Sequence, residues 1–600
     1  MKRPVRRIVS KIKRYLKRQL APNMERQFQR YYVGIGKHEK IKLASRTSLS
    51  KPEPWLSVVI PLYNTKKSHF EDLTASIQSQ NLAGVEVILT DDGSNDVAHL
   101  DRLQRFENES NFSVLTSAQN TGIAANMNRG LAATHGRWVT FVDHDDMLAP
   151  HAISVLYLAL QSAADQLQFL YTDEVLVDEV GKITGPAFKP AFDPILLSGM
   201  NYINHLSLYR RERLLAMGGF RSEFDGSQDY DAVLRYTKGL TDQQIAHLPY
   251  PAYFWRASPN SFSRAQNERS IQAARQTLRQ HFANSGQDVT VGPALNPELH
   301  RVDFPVENDD WPSIAIILPS REKLSLITTI LDGLYNNTDY PNFKVVVVDN
   351  GSQSAEVLGL YKDYEDKYPD GFSALVREET FNFARSVNRG IASVEADHYL
   401  ILNNDVEVID PLWLKELVSC LSYENVGIVG AKLIYEDHML QHAGVIVGKS
   451  KLAGHWYLME RETTPGTLGR LRVRGAMSCV TGAVLLISGD CLKQIGPWDE
   501  EHFAVAYNDV DYCMRAHKAG LRLVWTPYAR LYHHESLSRG SDHAKKNAER
   551  FGREKANLTR LHRTDIFKDP VHNPNFKFSG TVPKLKLTPD LHSPRHWFEN

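Results

Sequence analysis

The amino-acid sequence predicts an α/β protein built from two tandem copies of one domain. Four motifs of the first half return in the second half in the same order, at offsets of 258 or 260 positions between matching residues. A chance similarity would not keep its register through four motifs, so the chain is predicted to repeat one fold. The pairs are WLSVVIPLYNT (55–65) with WPSIAIILPSRE (311–322), VEVILTDDGSND (85–96) with FKVVVVDNGSQS (343–354), NMNRGLAAT (126–134) with SVNRGIASV (386–394), and VTFVDHDD with YLILNNDV.

Short apolar segments alternate with helical segments in each copy. In the first copy, a strand over 58–62 precedes a helix over about 70–80, and a second strand over 85–89 ends in Asp-Asp-Gly-Ser. Apolar runs without strict alternation, separated by helices, are typical of a mostly parallel sheet covered on both faces. Because ligands bind such sheets beyond the carboxyl ends of the strands, we expect the Asp-rich segments of each copy to meet at one cleft.

The length of 600 residues exceeds what one hydrophobic core organises, so several domains are expected. The repeat sets their boundaries. We expect an N-terminal segment over 1–50, a first domain over 51–290, a Pro- and Asp-rich linker over 291–310, a second domain over 311–560 and a tail over 561–600. The tail gives no functional signal.

The first 20 residues carry nine Lys and Arg and no acid, although the whole chain has a formal net charge of zero. Apolar residues recur there at helical spacing, which favours an amphipathic helix on an anionic membrane surface. A solvated helix or a nucleic-acid arm is the alternative, but the neutral chain gives no general case for a nucleic-acid partner. The apolar face comprises Val5, Ile8, Val9, Ile12, Tyr15, Leu16 and Leu20.

The cysteines and the apolar runs give an expectation for localisation. The four cysteines show no C-x-x-C spacing, which favours a reducing compartment, and no apolar run approaches 18 residues. We therefore expect a cytoplasmic protein, attached peripherally to the cytoplasmic face of the inner membrane through its N-terminal helix.

Three carboxylates crowd into four residues directly after the apolar strand VTFV, in the sequence DHDD of residues 143–146. One interpretation is a solvated turn with an aspartate as the helix N-cap. The other is a metal site, because a divalent cation neutralises carboxylates that would otherwise repel one another. Neither copy has the G-x-G-x-x-G turn or the P-loop that dinucleotide-binding proteins and NTPases require.

Taken together, these motifs resemble the inverting family 2 glycosyltransferases with the GT-A fold. The resemblance covers roughly residues 55–265 and 311–540, and the whole chain is similar to tandem-domain bacterial transferases that build O-antigen or capsular polysaccharide. The motifs that carry it are VVIPLYN, VILTDDGSND, NRG, FVDHDD and GSQDYDAVLR in the first copy, and VVVVDNGS, ILNNDVEV, VTGAVLLIS, GPWDEEHF, YNDVDYCMR and LYHHESLS in the second.

The resemblance implies a nucleotide-sugar site in each copy. Asp92, with Asp91 beside it, and Asp349 in the second copy would bind the nucleotide base, since a carboxylate accepts the N–H of a pyrimidine ring. Arg385 could contact the diphosphate through its guanidinium group, although an exposed helix arginine is an equal alternative.

The resemblance also implies a divalent cation, Mg²⁺ or Mn²⁺, at the strand end. Asp143 and Asp145 would form the D-x-D element, with Asp145 as the metal ligand. In the second copy Asn403 stands at the first position, and Asp405 keeps the metal role. The cation would bridge the diphosphate and stabilise the charge of the leaving group.

A histidine late in the family's domain often completes the metal site. The second copy offers His533 and His534, and the spacing to Ser538 favours His533. The first copy has Ser258 where we would look for this residue.

The family's catalytic base matches Asp229 in GSQDYDAVLR and Asp509 in YNDVDYCMR. Inversion requires a single carboxylate that takes the proton from the acceptor hydroxyl on the face opposite the leaving group. Asp231 and Asp511 are instead expected to be acids at a helix start.

Trp498 and Asp499 lie where family members shape the acceptor pocket, although Trp498 could equally belong to the core. The resemblance therefore implies a hexosyl- or deoxyhexosyltransferase that acts on a growing, lipid-linked cell-surface glycan, with two different transfers at two sites. The alternative is that one domain is active and the other is a degenerate glycan-binding or assembly module.

Overall fold

The computed structural model describes residues 54–256, 264–306, 310–534, 547–577, 579–586 and 593–598, together with residues 28, 34 and 40–42. The amphipathic helix predicted over Val5 to Leu20 lies outside these described residues. Within them, no helix is both long enough and apolar enough to cross a membrane.

From residue 54 onward, the described part of the first half contains eleven strands and eight α-helices. The strands are β1 (Leu56–Leu62), β2 (Val85–Asp91), β3 (Phe112–Thr116), β4 (Trp138–Phe141), β5 (Met147–Leu148), β6 (Phe169–Val177), β7 (Ile183–Ala187), β8 (Ser207–Arg210), β9 (Ile245–Arg256), β10 (Thr290–Pro293) and β11 (His300–Asp303). The helices are α1 (Lys67–Gln78), α2 (Val97–Gln104), α3 (Ile123–Ala132), α4 (Ala152–Ser162), α5 (Pro194–Gly199), α6 (Arg211–Ala216), α7 (Gln228–Thr237) and α8 (Arg264–Ala283).

The described part of the second half repeats this order with additional strands. The strands are β12 (Ile314–Ser320), β13 (Phe343–Asp349), β14 (Phe372–Val376), β15 (His398–Leu402), β16 (Val406–Val408), β17 (Val426–Ile434), β18 (Leu440–His442), β19 (Val445–Val447), β20 (Ala453–His455), β21 (Gly475–Met477), β22 (Val484–Ser488) and β23 (Arg522–His533). The helices are α9 (Leu324–Asn336), α10 (Ala355–Lys367), α11 (Phe383–Ala392), α12 (Trp413–Cys420), α13 (Gly489–Ile495), α14 (Asn508–Lys518) and α15 (Ala548–His562).

Both halves form a sheet with the same strand order. The first sheet runs β3-β2-β1-β4-β8-β6-β9-β5, and the second runs β14-β13-β12-β15-β22-β17-β23-β16. The first four strands of each sheet are parallel, and β8 and β22 then add antiparallel neighbours. The prediction of two tandem α/β domains is therefore confirmed.

The glycine of the NRG motif in each half allows a helix to pack closely on the sheet. A Cβ atom on Gly130 of α3 would lie 2.4 Å from a methyl carbon of Val59 on β1. A Cβ atom on Gly390 of α11 would lie 2.5 Å from a methyl carbon of Ile317 on β12. Real Cβ atoms do not approach carbon so closely, so glycine at this position lets both helices contact their central strand.

The two halves share one hydrophobic core across their interface. The Asp193 carboxylate in the first half accepts a hydrogen bond of 2.8 Å from the Ala476 backbone N–H in the second. Residues 290–303, which fall largely in the predicted linker, form the hairpin β10–β11, and this hairpin packs on α5. The region between the sheets is therefore structured.

The C-terminal residues contact both halves. The Asn573 amide donates hydrogen bonds of 3.0 and 2.8 Å to the two carboxylate oxygens of the buried Asp173 in the first sheet. Asp569 accepts hydrogen bonds from the Val447 backbone N–H (2.7 Å) and the Ser478 hydroxyl (3.0 Å) in the second half. Described residues of the predicted tail over 561–600 thus pack against both halves.

Candidate active sites

The second half contains a cleft at the carboxyl end of its parallel strands. Its volume is about 320 Å³, and Asn403, Asp509 and His533, three of the predicted site residues, line it. Other lining residues come from β18, β20, the turn before β22, the start of α14 and α15: Gln441, His455, Thr481, Gly482, Tyr507 and Phe551.

Asp509 lies in the first turn of α14, at the helix end that favours a negative charge. Its Oδ2 accepts a hydrogen bond of 3.0 Å from the Gly482 backbone N–H, and its Oδ1 accepts one of 2.9 Å from Val510. These two donors orient the carboxylate at the wall of the cleft.

Asp405 and His533 form a close pair, and His533 lines the same cleft as Asp509. Nε2 of His533 lies 3.2 Å from Oδ1 of Asp405, and both side chains are buried. The pairing of β16 with β23 causes this proximity, because Val406, directly after Asp405, is the strand partner of His533. The imidazole of His534 instead contacts Glu407 and Glu436, each at 2.9 Å, while its backbone N–H donates a hydrogen bond of 2.9 Å to the Asp405 carbonyl.

The first half brings a different set of groups together. Asp143, Asp146 and His205 each offer one ligand atom, and these atoms lie within 4.8 Å of one another. Asp145, which the sequence favoured as the metal ligand, is not a member of this group; its backbone carbonyl accepts a hydrogen bond from Arg256. In the described part of the chain, this is the one group of three or more His, Cys, Asp or Glu side chains whose ligand atoms lie so close together.

The charges in this cluster are strongly coupled. Burial lowers the pKa of His205, but the Asp143 carboxylate 3.2 Å away outweighs this effect and raises the pKa to about 10. Burial favours the neutral acid at Asp143 too, but His205 outweighs it and holds the pKa of Asp143 below its usual value. Burial, followed by repulsion from Asp143, raises the pKa of Asp146 to about 8. These directions favour charged Asp143 and His205 and a protonated Asp146, and a cation that binds here would displace the protons of His205 and Asp146.

The strand registers explain why the two halves use different histidines. In the first half Met147 pairs with Phe254, so the next residue, Trp255, occupies the position of His533. Ser258, where we looked for a histidine, lies outside the described residues. His205 corresponds to Ala483 in the second half, according to the pairing of β4 with β8 and of β15 with β22.

Asp229 corresponds to Asp509 in position but has different donors. It lies in the first turn of α7, and its Oδ2 accepts hydrogen bonds from the side-chain amides of Asn201 (3.1 Å) and Asn204 (2.8 Å). Asn204 directly precedes His205, so this segment brings Asp229 close to the Asp143 cluster.

The second acid of each helix start has a structural contact. Asp231 is buried and accepts hydrogen bonds from Arg221 and Arg235. Asp511 is buried and lies 2.8 Å from His562. The expectation that these acids differ in role from Asp229 and Asp509 agrees with this geometry.

The aspartates after β2 and β13 organise the loops at the strand ends. Burial would raise the pKa of Asp91, but hydrogen bonds from His99 and Ser94 lower it below its usual value. Asp92 accepts hydrogen bonds from Thr121 and Gly122. Binding of the nucleotide base by these residues stays a prediction.

Asp349 has the same surroundings in the second half. It accepts hydrogen bonds from the Ser352 backbone N–H (2.6 Å) and hydroxyl (2.7 Å) and from Tyr361 (2.7 Å). The side chain therefore closes the turn at the end of β13.

Of the remaining predicted residues, Arg385 lies on α11, and Trp498 and Asp499 lie in the segment between α13 and α14. Nε of Arg385 donates a hydrogen bond of 3.0 Å to Glu500, and Asp499 accepts hydrogen bonds from His502. Trp498 is 2% exposed and stacks on Tyr512 with 4.7 Å between ring centroids. Of the two alternatives for Trp498, the core agrees with this burial, and a role at the acceptor stays a prediction.

Sequence reasoning missed Asp146, Asn204, His205 and His455. Asp146 adjoins the recognised D-x-D element, and that adjacency was the available signal. The segment NYINHLSLYR carries no recognisable motif. Only the strand registers relate it to the second half, because they align Asn204 and His205 with Gly482 and Ala483 of VTGAVLLIS.

Comparison with known proteins matches both halves to the same group. The family model "Glycosyl transferase family 2" matches residues 57–214, and the model "Glycosyltransferase like family 2" matches residues 312–554. Each range lies within one of the two repeated domains, and the first ends before Asp229.

Two curated bacterial relatives match most of the chain. An uncharacterized protein, y4gI, of Sinorhizobium fredii is 34% identical over 527 residues, which are 87% of this chain and 57% of that protein. The O-antigen biosynthesis protein RfbC of Myxococcus xanthus is 36% identical over 497 residues, which are 82% of this chain and 38% of that protein. The chain therefore spans 57% and 38% of the lengths of these two relatives.

Among solved structures, a mannosyltransferase of Pyrobaculum calidifontis in complex with GDP-Man and Mn²⁺ is 17% identical, with a TM-score of 0.31, and the match covers 44% of this chain and 72% of that one. Two family models in register with two repeated α/β domains settle the family. The chain belongs to glycosyltransferase family 2 and carries two domains of the GT-A type in tandem.

Proposed function

We propose that the chain is a metal-dependent inverting glycosyltransferase with two sites, which moves sugars from nucleotide-sugar donors onto a growing glycan. One observation carries this proposal. In each half, a carboxylate on the first turn of a helix is linked to a carboxylate–histidine pair at the strand ends. Asp509 lines the same cleft as His533, which pairs with Asp405. Asp229 binds Asn204, which directly precedes His205, the partner of Asp143.

The donor atoms in both halves fit a divalent cation. Asp405 and His533 would hold it in the second half, and the buried Nδ1 of His533 has no hydrogen-bond partner among the described residues. Asp143, Asp146 and His205 would hold it in the first half. Carboxylate oxygens and an imidazole nitrogen suit Mn²⁺ or Mg²⁺. When bound, the cation would stabilise the charge on the departing nucleoside diphosphate.

Asp509 and Asp229 would act as the catalytic bases. Each carboxylate would take the proton from an acceptor hydroxyl as the hydroxyl oxygen attacks the sugar carbon from the face opposite the diphosphate. The donors on Asp509 and Asp229 fix the direction of the lone pairs before the acceptor arrives.

The acceptor is proposed to be a lipid-linked cell-surface glycan. The similarity to a protein of O-antigen biosynthesis supports this class of acceptor. Two sites on one chain suit successive additions, because a product released from one site meets the other at a high effective concentration. The alternative is one active domain with a degenerate glycan-binding partner.

The test is transfer from a panel of labelled nucleotide sugars with Mn²⁺, using the unsubstituted chain, Asp229→Asn and Asp509→Asn. We expect each substitution to reduce one transfer by about 10²- to 10⁴-fold. Asp490→Asn, whose side chain is 97% exposed, is the matched control. Loss of one activity only, with the other variant unchanged, favours the single-site alternative. Turnover that neither substitution alters would overturn the proposal.

Membrane attachment through residues 1–20 is a separate part of the proposal, supported by their nine basic residues and apolar face. Deletion of these residues should move the protein from the membrane fraction to the soluble fraction. Unchanged partitioning would exclude this segment as the anchor on the cytoplasmic face.

A further inference from the structure

A pair of histidines lies at the cleft of the second half, in the segment between β17 and β22. His442 ends β18 and is fully buried, whereas His455 ends β20 and lines the cleft. Their rings are nearly perpendicular, and the two Nδ1 atoms are 3.0 Å apart. The proposed chemistry of Asp509, Asp405 and His533 does not use this pair.

The backbone fixes the proton positions on His442. The Thr481 backbone N–H donates a hydrogen bond of 3.4 Å to Nε2 of His442. A nitrogen that accepts a hydrogen bond carries no proton, so the single proton of this ring is on Nδ1. Burial, together with the neighbouring His455 and His533, lowers the pKa of His442 well below its usual value, which agrees with an uncharged ring.

The proton on His442 in turn fixes His455. Because Nδ1 of His442 is the donor, Nδ1 of His455 must be the acceptor in the 3.0 Å contact. The proton of a neutral His455 then lies on Nε2, on the ring edge that points away from His442. A protonated His455 would bring two N–H groups into opposition.

The same turn connects the histidine pair to the catalytic carboxylate. Thr481 donates its N–H to His442, and the next residue, Gly482, donates its N–H to Asp509. In the first half the corresponding residues are Ile203 and Asn204, and Asp229 is bound by the Asn204 side chain instead. The arrangement therefore distinguishes the second site from the first.

We propose that His442 holds His455 in the tautomer with its proton on Nε2, and that His455 donates this hydrogen bond to an oxygen of the sugar nucleotide in the second cleft. The inference rests on the proposed function, because it requires a nucleotide sugar as the ligand. His455 is a donor-binding residue in this scheme, and His442 is a positioning residue. The oxygens of a sugar hydroxyl or a phosphate both accept such a bond.

The first experiment needs no ligand. Nitrogen-15 NMR of histidine-labelled full-length protein, assigned with His455→Ala and His442→Phe, reports which ring nitrogen carries the proton. We expect a proton on Nε2 of His455 in the unsubstituted chain and a mixture of tautomers in His442→Phe. A proton on Nδ1 of His455 in the unsubstituted chain overturns the inference.

The second experiment measures binding of UDP-glucose, UDP-N-acetylglucosamine and GDP-mannose with Mn²⁺ by calorimetry, in a background in which Asp143→Asn weakens the first site. We expect His455→Ala to raise Kd about 3- to 10-fold, the effect of one hydrogen bond. His455→Gln should restore binding because its amide is also a donor. His438→Ala is the control, since this histidine is exposed and pairs with Glu462.

The outcomes separate the two proposals. Unchanged binding in His455→Ala overturns the inference and leaves the proposed function intact. If none of the three nucleotide sugars binds to the unsubstituted chain, the proposed function fails for these donors and the ligand-binding half of the inference fails with it. The tautomer of His455 is decided by the NMR result in either case.

Discussion

The two halves of the chain have the same strand order but complete their candidate sites with different side chains. The catalytic carboxylates occupy equivalent helix starts, yet two asparagine side chains bind Asp229 and the backbone of Gly482 binds Asp509. The histidine near the acidic cluster comes from the loop before β8 in the first half and from the end of β23 in the second.

This difference shows which site residues the strand order determines and which it does not. Strand ends and helix starts occupy the same places in both sheets, so carboxylates attached to them stay in equivalent positions. The histidine that completes each site only has to reach the space beside these carboxylates, and several segments of the fold can place it there. One site can therefore be rebuilt without changing the sheet.

The largest expected effect concerns the histidines. His205→Ala should weaken Mn²⁺ binding in the first half only, and His533→Ala should weaken it in the second half only. Loss of an outer-shell partner costs roughly 10- to 100-fold in metal affinity, and loss of a ligand should cost at least as much. Mn²⁺ titration of the protein without donor, followed by electron paramagnetic resonance, measures each site.

His438→Ala, on the surface of the second half, is the control for this titration. If His205→Ala and His533→Ala affect the same binding step, the two halves do not hold separate cations. The two halves would then contribute to one cation site.

A smaller effect, similar in the two halves, is expected from substitutions in the helix–sheet packing that both halves share. Gly130→Ala and Gly390→Ala each force a methyl group into a branched side chain of the central strand, at 2.4 and 2.5 Å. Overpacking of this kind costs about 1–3 kcal/mol, so both variants should lower the free energy of unfolding similarly. Urea denaturation followed by circular dichroism measures it.

Gly359→Ala is the matched control, since this helical glycine in α10 has open space where the Cβ would lie. We expect it to raise stability by about 0.4–1 kcal/mol. A large difference between the unfolding free energies of Gly130→Ala and Gly390→Ala would show that the two helices pack differently on their sheets.

The last prediction tests how the catalytic carboxylate of the first half is held. Asn204→Ala removes the 2.8 Å hydrogen bond to Asp229, and a hydrogen bond to a charged group contributes about 1.5–3 kcal/mol. We expect the transfer measured in an Asp509→Asn background to slow by about 10-fold or more. Asn267→Ala, on the exposed face of α8, should leave the rate unchanged. A normal rate in Asn204→Ala would indicate that Asn201 alone orients Asp229.

Much of the frame and part of the site could be predicted from the sequence. Apolar runs and their spacing indicated the repeated strands and helices, and the acids that follow them fell at strand ends and helix starts. These features are local, because a few consecutive residues determine where an element ends. Asp229, Asp509 and His533 were assigned from the resemblance to the family, and their roles stay predictions.

The sequence by itself determined the family, the tandem repeat and the carboxylates attached to regular elements. Only the tertiary structure decided that His205 joins Asp143, that Asp146 replaces Asp145 in the cluster, that Trp498 is buried, and that Asn573 binds Asp173 across 400 residues of chain. The physical reason is that such contacts depend on how loops and termini pack between two sheets. No periodicity or spacing along the chain encodes that packing.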